Sequence, residues 1–297
     1  MPRESLKERI AKRPPWLRLR LRDSEAVKGV STMMRSLHLT TVCEEAQCPN
    51  LFECWSAKTA TFMLMGEVCT RHCGFCAVKK GDTALLDPQE PEHVAQAVKE
   101  LALGHAVVTS VNRDDLRDGG AAHFAATISA IRRLNPVCTV EVLIPDFGGS
   151  EEALATVLSA RPEILNHNVE TIPRLYSRVR HGSDFQRSLQ LLARAAKTKG
   201  DKILRTKSGL MLGLGERTEE VFEVCERLRE AEVDILTIGQ YLQPSARHLP
   251  VERWVPPQEF EQIGAHAETL GFAHVESGVF VRSSYHAERH LPVDQEL

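Results

Sequence analysis

Three cysteines, Cys69, Cys73 and Cys76, stand at x3 and x2 spacing directly after the apolar run from Thr59 to Met65. Three thiolates on one short loop can hold a soft metal centre, and on a cluster of four metal sites they leave one site open for a small molecule. That open site is where chemistry is expected. The alternative is a zinc knuckle closed by His72 or another residue, in which the metal only staples the loop. A second group, Cys43-x4-Cys48-x5-Cys54, again offers three ligands. Of the two cysteines left, Cys138 begins an alternating strand with Val140, Val142 and Ile144, and Cys225 shares a helical face with Val221, Val224 and Leu228. Both belong to the core by this pattern, so a non-cysteine ligand or an open iron is expected at the second group, with zinc again the alternative.

The elements that must position these groups follow from periodicity. Strand-like runs at 59 to 65, 106 to 111, 138 to 144, 163 to 168, 203 to 212 and 233 to 238 alternate with amphipathic helical segments such as the Val94, Ala97, Val98, Leu101 stripe. Such alternation predicts a parallel sheet with right-handed crossovers, curled towards a barrel. The repeat from 59 to 275 is short for a closed eightfold barrel of ~250 residues. The expected fold is therefore α/β, a partial (β/α)6 TIM-like barrel. An N-terminal extension over 1–58 carries the second cysteine group, and a tail over 276–297 follows the barrel.

In parallel architectures ligands gather at the carboxyl ends of the strands. The runs here end in the Cys69 loop, Asn112-Arg113-Asp114-Asp115, Pro145-Asp146, His167-Asn168-Val169-Glu170, Gly213-x-Gly215-Glu216 and Gln240-Tyr241. Asn168 and Glu170, two apart on an extended backbone, point to one side and can reach a pair of ribose hydroxyls. The glycines at 213 and 215 permit close approach to a flat ring, although the third glycine of a dinucleotide fingerprint is missing. By position, Ser110 or Asn112 could hold an amino group and Arg180 a carboxylate.

Composition narrows the class. A hydrophobic fraction of 42% and a charged fraction of 26% are ordinary for a globular protein. A net charge of -3 favours neither nucleic acid nor an anionic membrane as main partner, and no apolar run is long enough to span a bilayer. The basic segment before residue 23 lacks the apolar stretch of a secretory signal, which leaves a cytoplasmic protein as the expectation. That segment, with Arg18 and Arg20, is either a solvated extension or a docking arm for an acidic partner. Six of the eight cysteines lie between 43 and 76, a clustering that points to metal rather than disulfides.

The Cys69 loop, with Phe75 before its last cysteine, resembles the radical S-adenosylmethionine (SAM) enzymes. Further motifs narrow that resemblance. They are Cys43-x4-Cys48-x5-Cys54, Asn112-Arg-Asp-Asp-Leu, Asn166-His-Asn-Val-Glu170, Lys207-Ser-Gly-Leu-Met-Leu-Gly-Leu-Gly-Glu216, Gly239-Gln-Tyr-Leu-Gln-Pro-Ser245 and Arg282-Ser-Ser-Tyr-His286. Taken together, the chain from about Pro14 to His286 is similar to the lipoyl synthase family. The resemblance implies one [4Fe-4S] cluster on Cys69, Cys73 and Cys76 that chelates and cleaves SAM. It implies an auxiliary [4Fe-4S] cluster on Cys43, Cys48 and Cys54, completed by Ser284 with Ser283 as fallback. Phe75, Ser110, Asn112, Asn168, Glu170, Arg180, Gly213, Gly215 and Glu216 would contact SAM.

The implied reaction inserts sulfur at C6 and C8 of an octanoyl group on a lysine of a lipoyl carrier protein, either a 2-oxo acid dehydrogenase acyltransferase domain or the glycine cleavage H protein. An electron donor such as flavodoxin or ferredoxin and an iron-sulfur carrier complete the implied partners. Other readings are a biotin synthase-like enzyme, a two-cluster electron-transfer protein and a zinc-stapled binding module. The second cysteine group and the tail serines argue against the first, and the polar groups at the strand ends against the second. Metal identity separates the third from the rest.

Overall fold

The computed structural model describes residues 13–17, 25–201 and 203–291. Arg18 and Arg20 of the basic segment lie outside the described residues. Among the described residues the N-terminal extension contributes three α-helices, α1 (Glu25–Ser36), α2 (Val42–Glu45) and α3 (Leu51–Ser56). Thr41 caps α2, its hydroxyl accepting the Glu44 N–H at 3.3 Å. Seven strands among the described residues then form one parallel sheet: β1 (Thr61–Leu64), β2 (His105–Ser110), β3 (Thr139–Leu143), β4 (Ile164–Asn166), β5 (Arg205–Leu212), β6 (Ile235–Gln240) and β7 (His274–Gly278). They neighbour one another in chain order, so the sheet stays open between β1 and β7.

Six of these strands fall on the runs expected from the sequence. The seventh is an addition, and it straddles the boundary at 275 and 276 drawn from periodicity. Its His-Val-Glu-Ser-Gly stretch carries one aliphatic residue, and all five positions are half-buried. A strand that covers a lumen on one side and meets solvent on the other leaves little apolar pattern.

Crossovers are made by α4 (Glu90–Leu101), α5 (Ala121–Leu134), α6 (Glu151–Ser159), α7 (Phe185–Ala196), α8 (Thr218–Glu230) and α9 (Pro257–Thr269). Ser150 and Asp184 start α6 and α7 by accepting the N–H of Ala153 and Arg187 at 3.2 and 2.7 Å. The apolar stripes pack on the outer sheet face in two clusters. Val98, Phe124, Ile128 and Val157 meet Val108, Val140 and Val142, while Leu192, Val221, Leu228 and Ile263 meet Leu212, Leu236 and Ile238.

Alternate strand residues turn inward. Deeper in the barrel the inward side chains include Glu141 of β3, Lys207 near the start of β5 and Asn166, the last residue of short β4, all fully buried. Above them the wall is made by Asn168, Gly209, Met211, Thr237 and Gly239. The tail after β7 folds back into this space. Val281, Arg282 and Ser283 line the same hollow as Gly209, Thr237 and Gly239. Ser284 then reaches Thr61 at the start of β1, and His290 reaches Lys207.

Gly239 records how closely the tail fits, because a Cβ there would run into the Val281 carbonyl oxygen. Overpacking of this kind costs about 1–3 kcal/mol. Gly239→Ala is expected to lower the unfolding midpoint in urea accordingly, and an unchanged midpoint would mean that the tail does not occupy the lumen.

Candidate active site

The first cysteine loop is built from the end of β1 outward. Met65 at φ 67° and Gly66 at φ 89° turn the chain, and Val68–Cys69 pairs with Lys79–Lys80 in a two-residue parallel ladder that closes the loop at its base. Thr70 N–H and Oγ1–H donate to the Asn112 carbonyl at 3.1 and 3.0 Å, and Asn112 N–H donates to Cys69 Sγ at 3.2 Å. Gly74 N–H donates to the Val179 carbonyl at 2.9 Å. A Cβ at Gly74 would press on Leu249 and stand 3.2 Å from the Arg178 carbonyl, so this position is kept for glycine. Lys80 Nζ donates to the Cys73 carbonyl at 3.0 Å, and His248 Nε2 lies 3.1 Å from that of Cys76. The chain is thus fixed on both sides of each thiol.

Arg71, within the loop, is the main tie to the sheet. Its guanidinium donates to both oxygens of Asp114 at 2.8 Å and lies 2.6 Å from fully buried Asp146, which also meets Arg187 at 3.1 Å. Burial opposes the charge of Asp146. The hydrogen bond and charge of Arg71 outweigh it and hold the carboxyl at about 2. His72, the candidate for closing a zinc knuckle, points to solvent.

The second cysteine group lies across a cavity of about 320 Å³ from the first. Cys43 sits on α2 and Cys54 on α3, with Cys48 in the turn between them. All three line the cavity together with Ser283 and Ser284, and Cys73, Phe75 and Cys76 line it from the loop side. Thr61 Oγ1–H donates to Ser284 Oγ at 2.8 Å, Asn50 Nδ2–H to the Phe280 carbonyl at 2.8 Å, and Tyr285 O–H to Glu53 at 3.2 Å. The serines are therefore tied to the elements that carry the cysteines.

The donor set fits iron-sulfur clusters. Burial pushes the thiols of Cys43, Cys54 and Cys76 up to about 11, 12 and 12, and raises those of Cys48 and Cys73. A thiol in such surroundings becomes the thiolate that ligates only when a metal cation takes the proton's place. The buried Trp55 Nε1–H has no conventional partner yet interacts with Cys43, where a cluster-bound thiolate would accept it. Ser110 Oγ and Asn168 Oδ1 are likewise buried without partner, and both residues line the cavity.

Comparison with known proteins decides the family. A model of the Radical SAM superfamily matches residues 63–228. The lipoyl synthase of Symbiobacterium thermophilum is 55% identical over 279 residues, 94% of this chain and 87% of that one. That of Roseiflexus sp. is 52% identical, with 98% and 96% of the two chains covered. The chain belongs to the lipoyl synthase family. It is accordingly a radical SAM enzyme, and membership implies SAM and a [4Fe-4S] cluster. Among solved structures, SuiB of Streptococcus suis bound to its precursor peptide superposes with TM-score 0.57 at 10% identity, over 91% of this chain and 59% of that one. The [FeFe]-hydrogenase maturase HydG gives 0.56 at 12% identity, over 91% and 65%. These two likenesses bear on the fold, a partial TIM-like barrel. No helix among the described residues is long and apolar enough to cross a membrane.

Within this lipoyl synthase fold the residues picked out from the sequence fall into two sets. Phe75, Ser110, Asn168 and Glu170 line the cavity, with Asn168 Nδ2–H donating to Glu170 at 3.1 Å. Asn112, Arg180, Gly213, Gly215 and Glu216 are not among its lining residues. Arg180 donates to the Asn168 carbonyl at 2.8 Å and to Tyr176 Oη at 3.1 Å, bracing the segment that carries Asn168. Gly213 has φ 100°, and its Cβ direction is filled by Gln240 and by the Arg253 carbonyl. No side chain fits at this position. Glu216 folds its carboxylate onto the N–H groups of Gly213 and Leu214 at 2.6 and 2.9 Å and shapes the turn.

Sequence reading missed Arg71, Thr61 and Trp55. Arg71 was visible as the one basic residue inside the cysteine loop that proves buried, but its partners lie on two other strand ends. Thr61 carries no mark beyond its place in the run from 59 to 65, and no local pattern singles out Trp55. The Arg71 tie makes a prediction. A carboxyl held below its ordinary 3.8 contributes stability at higher pH that is lost as pH falls towards 2, here about 2 kcal/mol. Asp146→Asn is expected to destabilise the protein by about that amount at neutral pH and to flatten its stability between about pH 4 and 2. Urea unfolding across pH checks both parts.

Proposed function

We propose that the enzyme replaces C–H bonds at C6 and C8 of an octanoyl group, held in amide linkage to a lysine of a lipoyl carrier protein, by C–S bonds. One observation carries the reading: Cys43, Cys48 and Cys54, the serine pair, and Cys73 and Cys76 of the first group line a single cavity. Between them the wall is apolar, with Ala60, Met63, Val78, Leu143, Met211 and Leu242. Such a wall suits a saturated chain, which has no hydrogen bonds to offer.

When bound, SAM on the first cluster supplies a 5′-deoxyadenosyl radical, and the auxiliary cluster supplies sulfide. The chain's own residues organise that chemistry. Cys69, Cys73 and Cys76 would hold the SAM-binding cluster, leaving one iron open to SAM. Ser110, Asn168 and Glu170 offer it polar contacts from the wall, Arg180 braces that wall, and Asn112 holds the Cys69 loop. Cys43, Cys48 and Cys54 would hold the auxiliary cluster with Ser284 as fourth ligand. The Thr61 hydroxyl, already donating to Ser284 Oγ, supports the anionic oxygen that a serine ligand must become. Oxygen is a harder ligand than thiolate, so Ser284 would be the ligand to release if the auxiliary site gave up sulfur.

Two C–H bonds broken require two SAM molecules and one external electron for each cleavage. A flavodoxin or ferredoxin is the class of donor that would deliver them. The sulfur lost from the auxiliary site has to be restored by an iron-sulfur carrier.

Anaerobically prepared enzyme is expected to hold about eight irons per chain, falling to about four when Cys43, Cys48 and Cys54 are all replaced by Ala. Zinc in place of iron, or about four irons in both proteins, would remove the proposed sulfur donor. Ser284→Cys is expected to keep the full iron content yet impair formation of the dithiolated product on an octanoylated carrier. Unchanged product formation by that variant would exclude serine release as a step. Thr61→Val should retain the first cluster and lose auxiliary iron to a chelator faster than wild type does.

A further inference from the structure

The interior of the barrel encloses a charged layer that the proposed chemistry leaves unused. Lys207, fully buried on β5, donates to both oxygens of Glu141 at 2.7 and 2.9 Å and to His290 Nδ1 at 3.0 Å. Asn166 donates to the same carboxylate at 3.0 Å. His105 Nε2 stands 3.8 Å from Glu141, and the His274 ring lies 4.7 Å from that of His290. An ammonium group has three protons and no other way to satisfy them in a dry interior. Two go to Glu141, and the third goes to a residue of the tail.

His290 is six residues beyond Ser284 on the same strap of chain. Withdrawing the tail would leave one donor of a buried cation without a partner, a far larger penalty than losing a surface contact. On the other side of Ser284, Val281 and Arg282 are seated against Gly239. The serine thus lies between two anchorages inside the barrel.

From this geometry we infer that His290, through Lys207, is a positioning residue that keeps the tail seated and Ser284 beside the N-terminal cysteines, including while the serine oxygen is detached. This rests on the reading of Ser284 as a cluster ligand. The lock belongs to the barrel floor and the tail, and none of its members touches the cavity where the chemistry is proposed. Neutral His290 with its proton on Nε2 is the form that accepts from Lys207, and Glu141, His105, His274 and Glu276 are the other titratable groups around it.

The test compares His290→Leu, which removes the acceptor, with His290→Asn, whose side-chain oxygen can stand near the Nδ1 position. Hydrogen exchange read by mass spectrometry follows the peptides covering 279 to 291 in the iron-loaded protein, and chelator-released iron follows the clusters. Loss of a hydrogen bond to a charged group predicts tail exchange faster by roughly ten- to a hundredfold in the leucine variant, with recovery towards wild type in the asparagine variant. Iron of the auxiliary site should be released faster in step with the tail, while the iron held by Cys69, Cys73 and Cys76 is unaffected. Wild-type exchange in His290→Leu would overturn the proposal, and so would fast exchange without faster iron release. Ser284→Ala is run in parallel. If it too leaves iron release unchanged, the ligand role of Ser284 fails; if it accelerates release while His290→Leu does not, the positioning role of His290 fails alone.

Discussion

An unclosed parallel sheet leaves two bare edges and a lumen that its own side chains cannot fill, and the centre of this protein is arranged around covering that opening. The edge of β1 is met by the N-terminal extension: Thr41 forms an antiparallel bridge with Phe62, and Met63 N–H donates to the Thr40 carbonyl at 2.9 Å. Cys43 follows two residues later. The lumen is met by the tail, which passes Gly239 and reaches Thr61. The two segments that close the gap are therefore brought together by the need to satisfy an edge and to exclude water. They are also the segments that carry Cys43, Cys48, Cys54 and the serine pair.

Charge burial is the second constraint, and the protein handles it differently at two levels of the barrel. At the carboxyl ends, Arg71 is neutralised by Asp114 and Asp146, so a cation inside the cysteine loop is held without being free to pair with a thiolate. Deeper in the barrel, Lys207 holds Glu141 well below the usual carboxylate range in spite of complete burial. Removing either partner of such a pair leaves an uncompensated charge in a medium of low polarizability. Arg282 beside Cys48 and Arg180 near Cys73 favour the thiolates, but burial outweighs them. The raised pKa values of the thiols describe ligands waiting for a metal rather than reactive nucleophiles.

How much of this could be read from sequence depended on the range of the interaction. Spacing alone gave the two cysteine groups, because ligands on one loop are a local property. Periodicity gave six strands and their helices, since each stripe is written within one element. The seventh strand escaped because its five residues are all half-buried and mostly polar. At Gly213 a side chain is also excluded by Gln240 and the Arg253 carbonyl, partners 27 and 40 positions away that no local pattern reveals. Arg71 with Asp146, and Lys207 with His290, join residues 75 and 83 positions apart. No local pattern encodes such pairs; they exist only once the crossovers have stacked the strands.

Under the proposed function, the placement of the fourth ligand has a physical logic of its own. A cluster that gives up sulfur must lose contacts on every turnover, and a site built wholly on barrel strands would transmit that loss into the sheet. Here the three thiolates come from the helical extension and the oxygen from the tail. The strands contribute the Thr61 hydroxyl and backbone and part of the cavity wall. The barrel can then keep its register while the auxiliary site empties and refills, provided the tail stays seated when its serine is free. Anchoring the tail on both sides of Ser284, at Gly239 and at Lys207, meets that condition with contacts that the reacting atoms never touch.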